Sequence, residues 1–285
     1  MKPNQYVFAL ISVLLLSFFA FHGYGLTFGE SAHLDDYLNF LSKQQKGSST
    51  YPFWLALKCV GVLSFFAASL FFISLVKKEH FNGSNQYTVM RYAIFIAILS
   101  IALFGAIVRI HSNQQGAANL FFFTTLLYML LFHLNNQASQ SLLVLKDIYL
   151  LPWYAVLIYT MGVPGWAKIF GGESFRIRYI EMFESSFISS LPGGTSMTII
   201  LIGIFELVVP ILLLVSLIRG EFLQRRPKLW LTLAMTIIIS TFSILCLGLS
   251  ILLNFAGSSN LVFYSIFTLM MFLCILNKPA PLLKK

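Results

Sequence analysis

Residues Ser196–Ile218 read SMTIILIGIFELVVPILLLVSLI, an apolar run whose one charge is Glu206. As an α-helix, at 1.5 Å rise per residue, the run extends about 35 Å, enough to cross the ~30 Å hydrocarbon core of a bilayer. Outward from this stretch, seven further runs of the same kind occur at about 6–28, 53–76, 89–111, 118–134, 142–164, 229–253 and 260–277. The least regular is 118–134, which is short and ends in His133, Asn135 and Asn136. The run 142–164 opens on the charged Lys146-Asp147 pair. These runs predict an all-α integral membrane protein of about eight transmembrane helices.

The composition of the 285-residue chain agrees: 58% of residues are hydrophobic and only 10% charged, where soluble domains carry about a quarter. That excludes intrinsic disorder, and three isolated cysteines inside apolar runs, Cys59, Cys246 and Cys274, exclude a secreted disulfide scaffold. Neither a CxxC nor a Cys/His spacing of metal type occurs, so no metal or haem signature is present. Lys2 precedes the first apolar run, but no small-x-small cleavage pattern follows before Leu26; the run reads as an uncleaved span.

A net charge of +9 raises the question of nucleic acid, and the placement of the charges answers it. With a cytoplasmic amino terminus, the loops after spans two, four and six and both termini collect Lys77, Lys78, Arg219, Arg225, Arg226, Lys228, Lys278, Lys284 and Lys285 among others. The opposite side balances its basic residues with acidic ones, leaving the whole excess inside. This is the positive-inside pattern for a multi-pass protein of the cytoplasmic membrane with both termini cytoplasmic. The expected partner is the lipid bilayer, with no nucleic acid.

Two outer loops are long. In Ser31–Ser42, Leu34, Tyr37, Leu38 and Leu41 recur at helical spacing, and in Glu173–Ile188, Phe175, Tyr179, Ile180, Phe183 and Phe187 do the same. Each predicts a short amphipathic helix lying in the outer interface. The order span, interfacial helix, span, basic loop, span, short loop, span therefore occurs twice. A shift of 142 residues places Gly23 on Gly165, Gly61 on Gly203, Ser74-Leu75 on Ser216-Leu217 and Glu79 on Glu221. We expect two tandem four-helix units, 1–138 and 139–285, in the same orientation.

Two motifs carry a resemblance: Gly165-Trp166-Ala167-Lys168-Ile169-Phe170 at the end of one span and Gly203-Ile204-Phe205-Glu206-Leu207 within the next. On these the second unit resembles the DoxX-like group of small four-helix membrane proteins. Pro210 and Leu212–Leu214 stand where that group usually has glycines. The first unit has Leu26 and Ser64 in place of Lys168 and Glu206. The resemblance implies an association with quinone-linked oxidation, with membrane redox complexes or with maturation of extracytoplasmic dehydrogenases.

Ionisable residues inside spans are costly and by default functional candidates. Glu206 lies roughly 12 Å below the outer end of its span, beyond the reach of its own side chain to water. It must be protonated, paired or held in a cavity. Lys168 and Lys58 are the cations within reach if their helices are neighbours, with snorkelling to the interface as the competing reading. Arg109 and His22 end spans on the same side, and with Arg176 and Arg178 they suggest a polar vestibule above Glu206. The expected function is an accessory role in a quinone-linked or other membrane redox process, with Glu206 and Lys168 as reactive groups and Lys58, Arg109, His22, Arg176 and Arg178 as binding groups. The cofactor is unassigned, a quinone being the compatible one. The alternatives are a non-catalytic structural or assembly subunit of a larger membrane complex, packed on other membrane-protein subunits, and a small-solute transporter.

Overall fold

In a computed structural model of the chain, the described residues are 3–29, 51–79, 87–110, 114–137, 148–171, 177, 180, 181, 183, 184, 187–190, 192–223 and 226–276. Among them are eight long α-helices: α1 (Pro3–Phe28), α2 (Tyr51–Val76), α3 (Thr88–Ile110), α4 (Gln114–Gln137), α5 (Leu151–Phe170), α6 (Gly194–Ile218), α7 (Leu229–Ile251) and α8 (Phe255–Leu276). All except α5 have the length and apolarity to cross a membrane. The protein is thus an α-helical, multi-pass membrane protein. The expected eighth span, α5, is diluted by Pro152, Trp153, Tyr154, Tyr159, Pro164, Trp166 and Lys168, although at 20 residues it still reaches about 30 Å.

The helix also differs in its bounds from the run at 142–164. It starts at Leu151 with Pro152 in its first turn, where a missing N–H costs nothing, and it continues through Pro164 to Phe170. The interfacial helix expected at Ser31–Ser42 lies outside the described residues. Of Glu173–Ile188 only scattered positions are described, among them a buried Phe183 and exposed Glu181 and Glu184, ahead of a 3-10 turn at Phe187–Ser190.

Contacts divide the chain into two compact units, Met1–Pro152 and Trp153–Lys285, where the sequence suggested a break at 138/139. The later break follows from Tyr149, which is buried against the ring of Phe132 and accepts the Tyr128 hydroxyl on its carbonyl at 2.8 Å. In the first unit consecutive helices pack on one another. Its most enclosed element is α3, where Met90, Ala93, Ile94, Ala97, Ile98 and Ile101 are fully buried at spacings of three and four. In the second unit α6 packs on α7 and α7 on α8. Leu231, Ala234, Met235, Ile238 and Phe242 form the inward stripe of α7, and Tyr264, Thr268, Met271 and Ile275 that of α8. The link between these two helices is tight: Leu253 takes a left-handed φ of 55°, and the Asn254 side chain accepts the Gly257 N–H at 3.0 Å, capping α8. That cap starts α8 at Phe255, ahead of the expected 260.

The two basic turns, after α2 and after α6, are built alike. Glu79 N–H bonds Ser74 O and Lys78 N–H bonds Leu75 O; Glu221 N–H bonds Ser216 O and Gly220 N–H bonds Leu217 O. Each is a Schellman closure with a left-handed residue, Lys78 at φ 52° or Gly220 at φ 69°. The acid that follows then turns inward. Glu79 accepts the Ser74 hydroxyl at 2.8 Å and the Val89 and Met90 N–H groups at 3.0 Å each. Glu221 accepts the Ser216 hydroxyl at 2.8 Å, Leu231 N–H at 2.8 Å and Trp230 N–H at 3.2 Å. Each carboxylate closes one helix and caps the next, supplying the acceptors that the first N–H groups of a helix lack. Lys228 donates to the Glu221 and Leu223 carbonyls at 2.7 and 3.1 Å, and burial pushes its ammonium below the usual lysine range against the opposing pull of the Glu221 charge.

Because charge-assisted bonds converge on each carboxylate, Glu221→Ala is expected to lower stability by about 2–4 kcal/mol, and Glu221→Gln by less, since the amide keeps one acceptor. Detergent titration of the folded protein, followed by circular dichroism, reads this; an unchanged midpoint for Glu221→Ala would contradict the cap.

Candidate functional site

Glycine at position 165 permits α5 and α6 to meet backbone to backbone. A methyl group built there would lie 2.8 Å from Glu206 Cβ and 3.0 Å from Leu207 N, and one built on Gly203 would lie 3.1 Å from Lys168 Cβ. One turn below, Gly162 faces the Pro210 ring, its added methyl 3.1 Å from Cγ. Small residues at a crossing let helices approach closely in an apolar solvent, where packing rather than hydrophobic exclusion holds them together.

The two charges follow from that approach. Lys168 is three residues beyond Gly165 and Glu206 three beyond Gly203, so each leaves the crossing on the side facing the other helix. Lys168 Nζ stands 2.6 Å from both Oε1 and Oε2 of Glu206. Both residues are buried, at 5% and 3% exposure. Of the cations within reach in sequence, Lys168 is therefore the one that meets Glu206. The pair is covered by the protein as it stands.

Chemically the pair joins a donor and an acceptor that can exchange one proton and become neutral. Its desolvation cost is large, and a buried ion pair generally stabilises no more than apolar groups of the same volume. Breaking it from one side is different: a lone charge left in the same place has no answer.

The first unit repeats the crossing without the charges. A methyl on Gly23 would lie 2.7 Å from Phe65 N and 2.9 Å from Gly61 O, and one on Gly61 would lie 2.8 Å from Leu26 Cβ. Leu26 belongs to an apolar cluster with Leu57, Val60, Phe104, Ile107, Val108 and Ala117. Ser64, fully buried, shares a 2.7 Å hydrogen bond with Ser100, which reaches the Val60 carbonyl at 3.2 Å.

The remaining candidates lie elsewhere. Lys58, half-buried, sits over the Trp54 ring at 4.3 Å, a cation–π contact. His22 stacks on Phe18 and meets the Phe104 ring edge-on at 5.0 Å, and its buried Nε2 has no hydrogen-bond partner. Arg109 is half-buried in the last turn of α3. Lys58, His22 and Arg109 all belong to the first unit; Lys168 and Glu206 belong to the second. Arg176 and Arg178 lie outside the described residues. Among the described residues no three His, Cys, Asp or Glu side chains converge as metal ligands.

Two polar groups escaped the sequence reading. Arg91, in the first turn of α3, is 1% exposed and donates to Asn135 Oδ1 at 3.3 Å, tying the start of α3 to the end of α4. In sequence, a basic residue so close to the loop after α2 reads as an orientation signal. Tyr154 shares a 2.8 Å hydrogen bond with Ser216, extending the Glu221 cap to α5; a tyrosine beside Trp153 in an apolar run reads as packing. No family model matches this chain, and no curated protein or solved structure matches it.

Three variants test the geometry through detergent-induced unfolding. Gly165→Ala is expected to destabilise the second unit by about 1–3 kcal/mol, since the methyl meets backbone. Lys168→Leu alone should cost about 3–5 kcal/mol or force Glu206 to bind a proton, whereas Lys168→Leu with Glu206→Ser, which copies the first unit, should regain most of that loss. Equal loss in the single and double variants would show that the two residues do not act as a pair.

Proposed function

We propose that the chain is an accessory protein of a quinone-linked or other membrane redox process, with its site at Glu206 and Lys168. The observation that carries this reading is the buried pair at one glycine crossing and its replacement by Leu26 and Ser64 at the other. The unit with Leu26 and Ser64 forms the same close approach, so the charges are not needed to bring the helices together. Residues that are costly and dispensable for packing are the ones to which a function is best assigned.

In this reading the chain consists of two tandem units in one orientation, the second DoxX-like, with both termini on the cytoplasmic side of the inner membrane and the polar site opening outward. The identical bond pattern of the two basic turns and the two matching glycine crossings support a duplication. The quoted Gly165 and Gly203 motifs support the DoxX-like assignment, and the concentration of basic residues in the turns after α2 and α6 supports the orientation.

The donor set fits a quinone headgroup. A protonated Lys168 donates to a carbonyl oxygen, an ionised Glu206 accepts from a hydroxyl, and one of each stands ready at a single point. When bound, a quinone supplies two-electron, two-proton exchange. The chain's own part is to hold or release one proton at Glu206 Oε, to orient the headgroup through Lys168 Nζ, and to keep bulk water out through the packing that leaves both residues nearly unexposed.

Glu206→Gln is expected to abolish quinone retention in protein purified from mild detergent, measured as quinone absorbance per protein, and to lower the midpoint of unfolding, since it leaves the buried Lys168 without a counter-charge. The Lys168→Leu with Glu206→Ser variant should fold and also purify without quinone. Full retention in both would remove the site from the reading and leave an assembly subunit, recognised by stoichiometric co-purification with other membrane proteins.

A further inference from the structure

The turn between α6 and α7 holds cations whose nearby acid is turned away from them. Arg219 and Arg226 are exposed, and the Arg219 guanidinium carbon lies 5.2 Å from the centre of the Trp230 ring. Glu221, 4% exposed, spends its carboxylate on Ser216, Trp230 and Leu231 inside the fold. The positive charge at the surface of this turn therefore has no surface carboxylate among the described residues 219–228 to balance it. Exposed and placed over the Trp230 ring, Arg219 carries a planar N–H fork of the kind that pairs with two phosphate oxygens.

The apolar neighbours indicate the source of that phosphate. Ile218 is 86% exposed and Leu229 68% exposed, immediately before Arg219 and Trp230 at the ends of two membrane-crossing helices. A soluble anion has no use for two bare aliphatic side chains beside its site, whereas a lipid places acyl chains against them and its headgroup against the cations. The corresponding turn of the first unit shows the same logic in weaker form. Lys77 and Lys78 are exposed beside a largely exposed Val76, Glu79 is engaged internally, and neither lysine offers a planar fork.

We propose that the α6–α7 turn, through Arg219 over the Trp230 ring and through Arg226, binds the phosphodiester headgroup of an anionic phospholipid. The site is separate from Glu206 and Lys168 and stands or falls without them. Lys228, occupied by the Glu221 and Leu223 carbonyls, shapes the turn behind it.

The test is a native mass-spectrometric titration of the full chain, in neutral detergent, with phosphatidylglycerol, phosphatidylcholine and inorganic phosphate. Phosphatidylglycerol is expected to bind in preference to phosphatidylcholine. Arg219→Gln with Arg226→Gln should weaken it roughly 30-fold, from two surface charges lost. Arg219→Lys should recover only part of that affinity, because the charge returns without the planar fork. Both arginines are exposed, so the variants should unfold in detergent as the native chain does. Equal binding of the two lipids, unchanged affinity in the double variant, or saturation by inorganic phosphate at the same concentrations would overturn the proposal.

Discussion

A hydrocarbon solvent answers no hydrogen bond, so a polar group placed within or beside it gains most from a partner in the chain itself. Most of what distinguishes this structure from a set of greasy helices follows from that demand. Where α2 and α6 end, the last carbonyls are closed by a left-handed residue and the next helix is opened by a carboxylate, with a serine hydroxyl completing the set. Where α5 and α6 cross, a lysine is met by a glutamate at 2.6 Å. Where α3 begins, a buried arginine is met by an asparagine of α4.

The same demand makes the two glycine crossings informative. Close approach without side chains brings backbones within van der Waals contact and leaves little room beside them, so whatever follows three residues later is delivered to the partner helix. In the first unit that position delivers Leu26 to an apolar cluster; in the second it delivers Lys168 to Glu206. One backbone arrangement thus carries either a sealed contact or a charged one. The difference resides in two side chains and needs no change of fold.

Much of the helix order could be read from the chain because length and apolarity are properties of a segment alone. Ser196–Ile218, for example, needed nothing beyond its own composition. The interior was harder. In a water-soluble helix a polar face marks the outside, but along α7 Leu231 and Met235 are buried while Leu229 and Leu233 are exposed, all equally apolar. Lipid and protein interior select the same residues, so the inward stripe left no trace in the pattern. Tyr149 shows the parallel failure at the break between units: nothing local indicates that it packs on Phe132 and Tyr128. Glu206 was found because a charge in an apolar run stands out, and Arg91 was missed because a basic residue near a loop has an ordinary explanation.

By itself the sequence determined the solvent, the helical class and the places where charge opposes that solvent, because transfer cost depends on residue type and run length. Tertiary structure alone decided which cation answers Glu206, since Lys58 and Lys168 are equivalent in one dimension and only a helix crossing through Gly165 and Gly203 brings one of them within 2.6 Å. It likewise decided that Glu79 and Glu221 face inward as caps, leaving the neighbouring cations to the surface, because that choice depends on where the next helix begins in space.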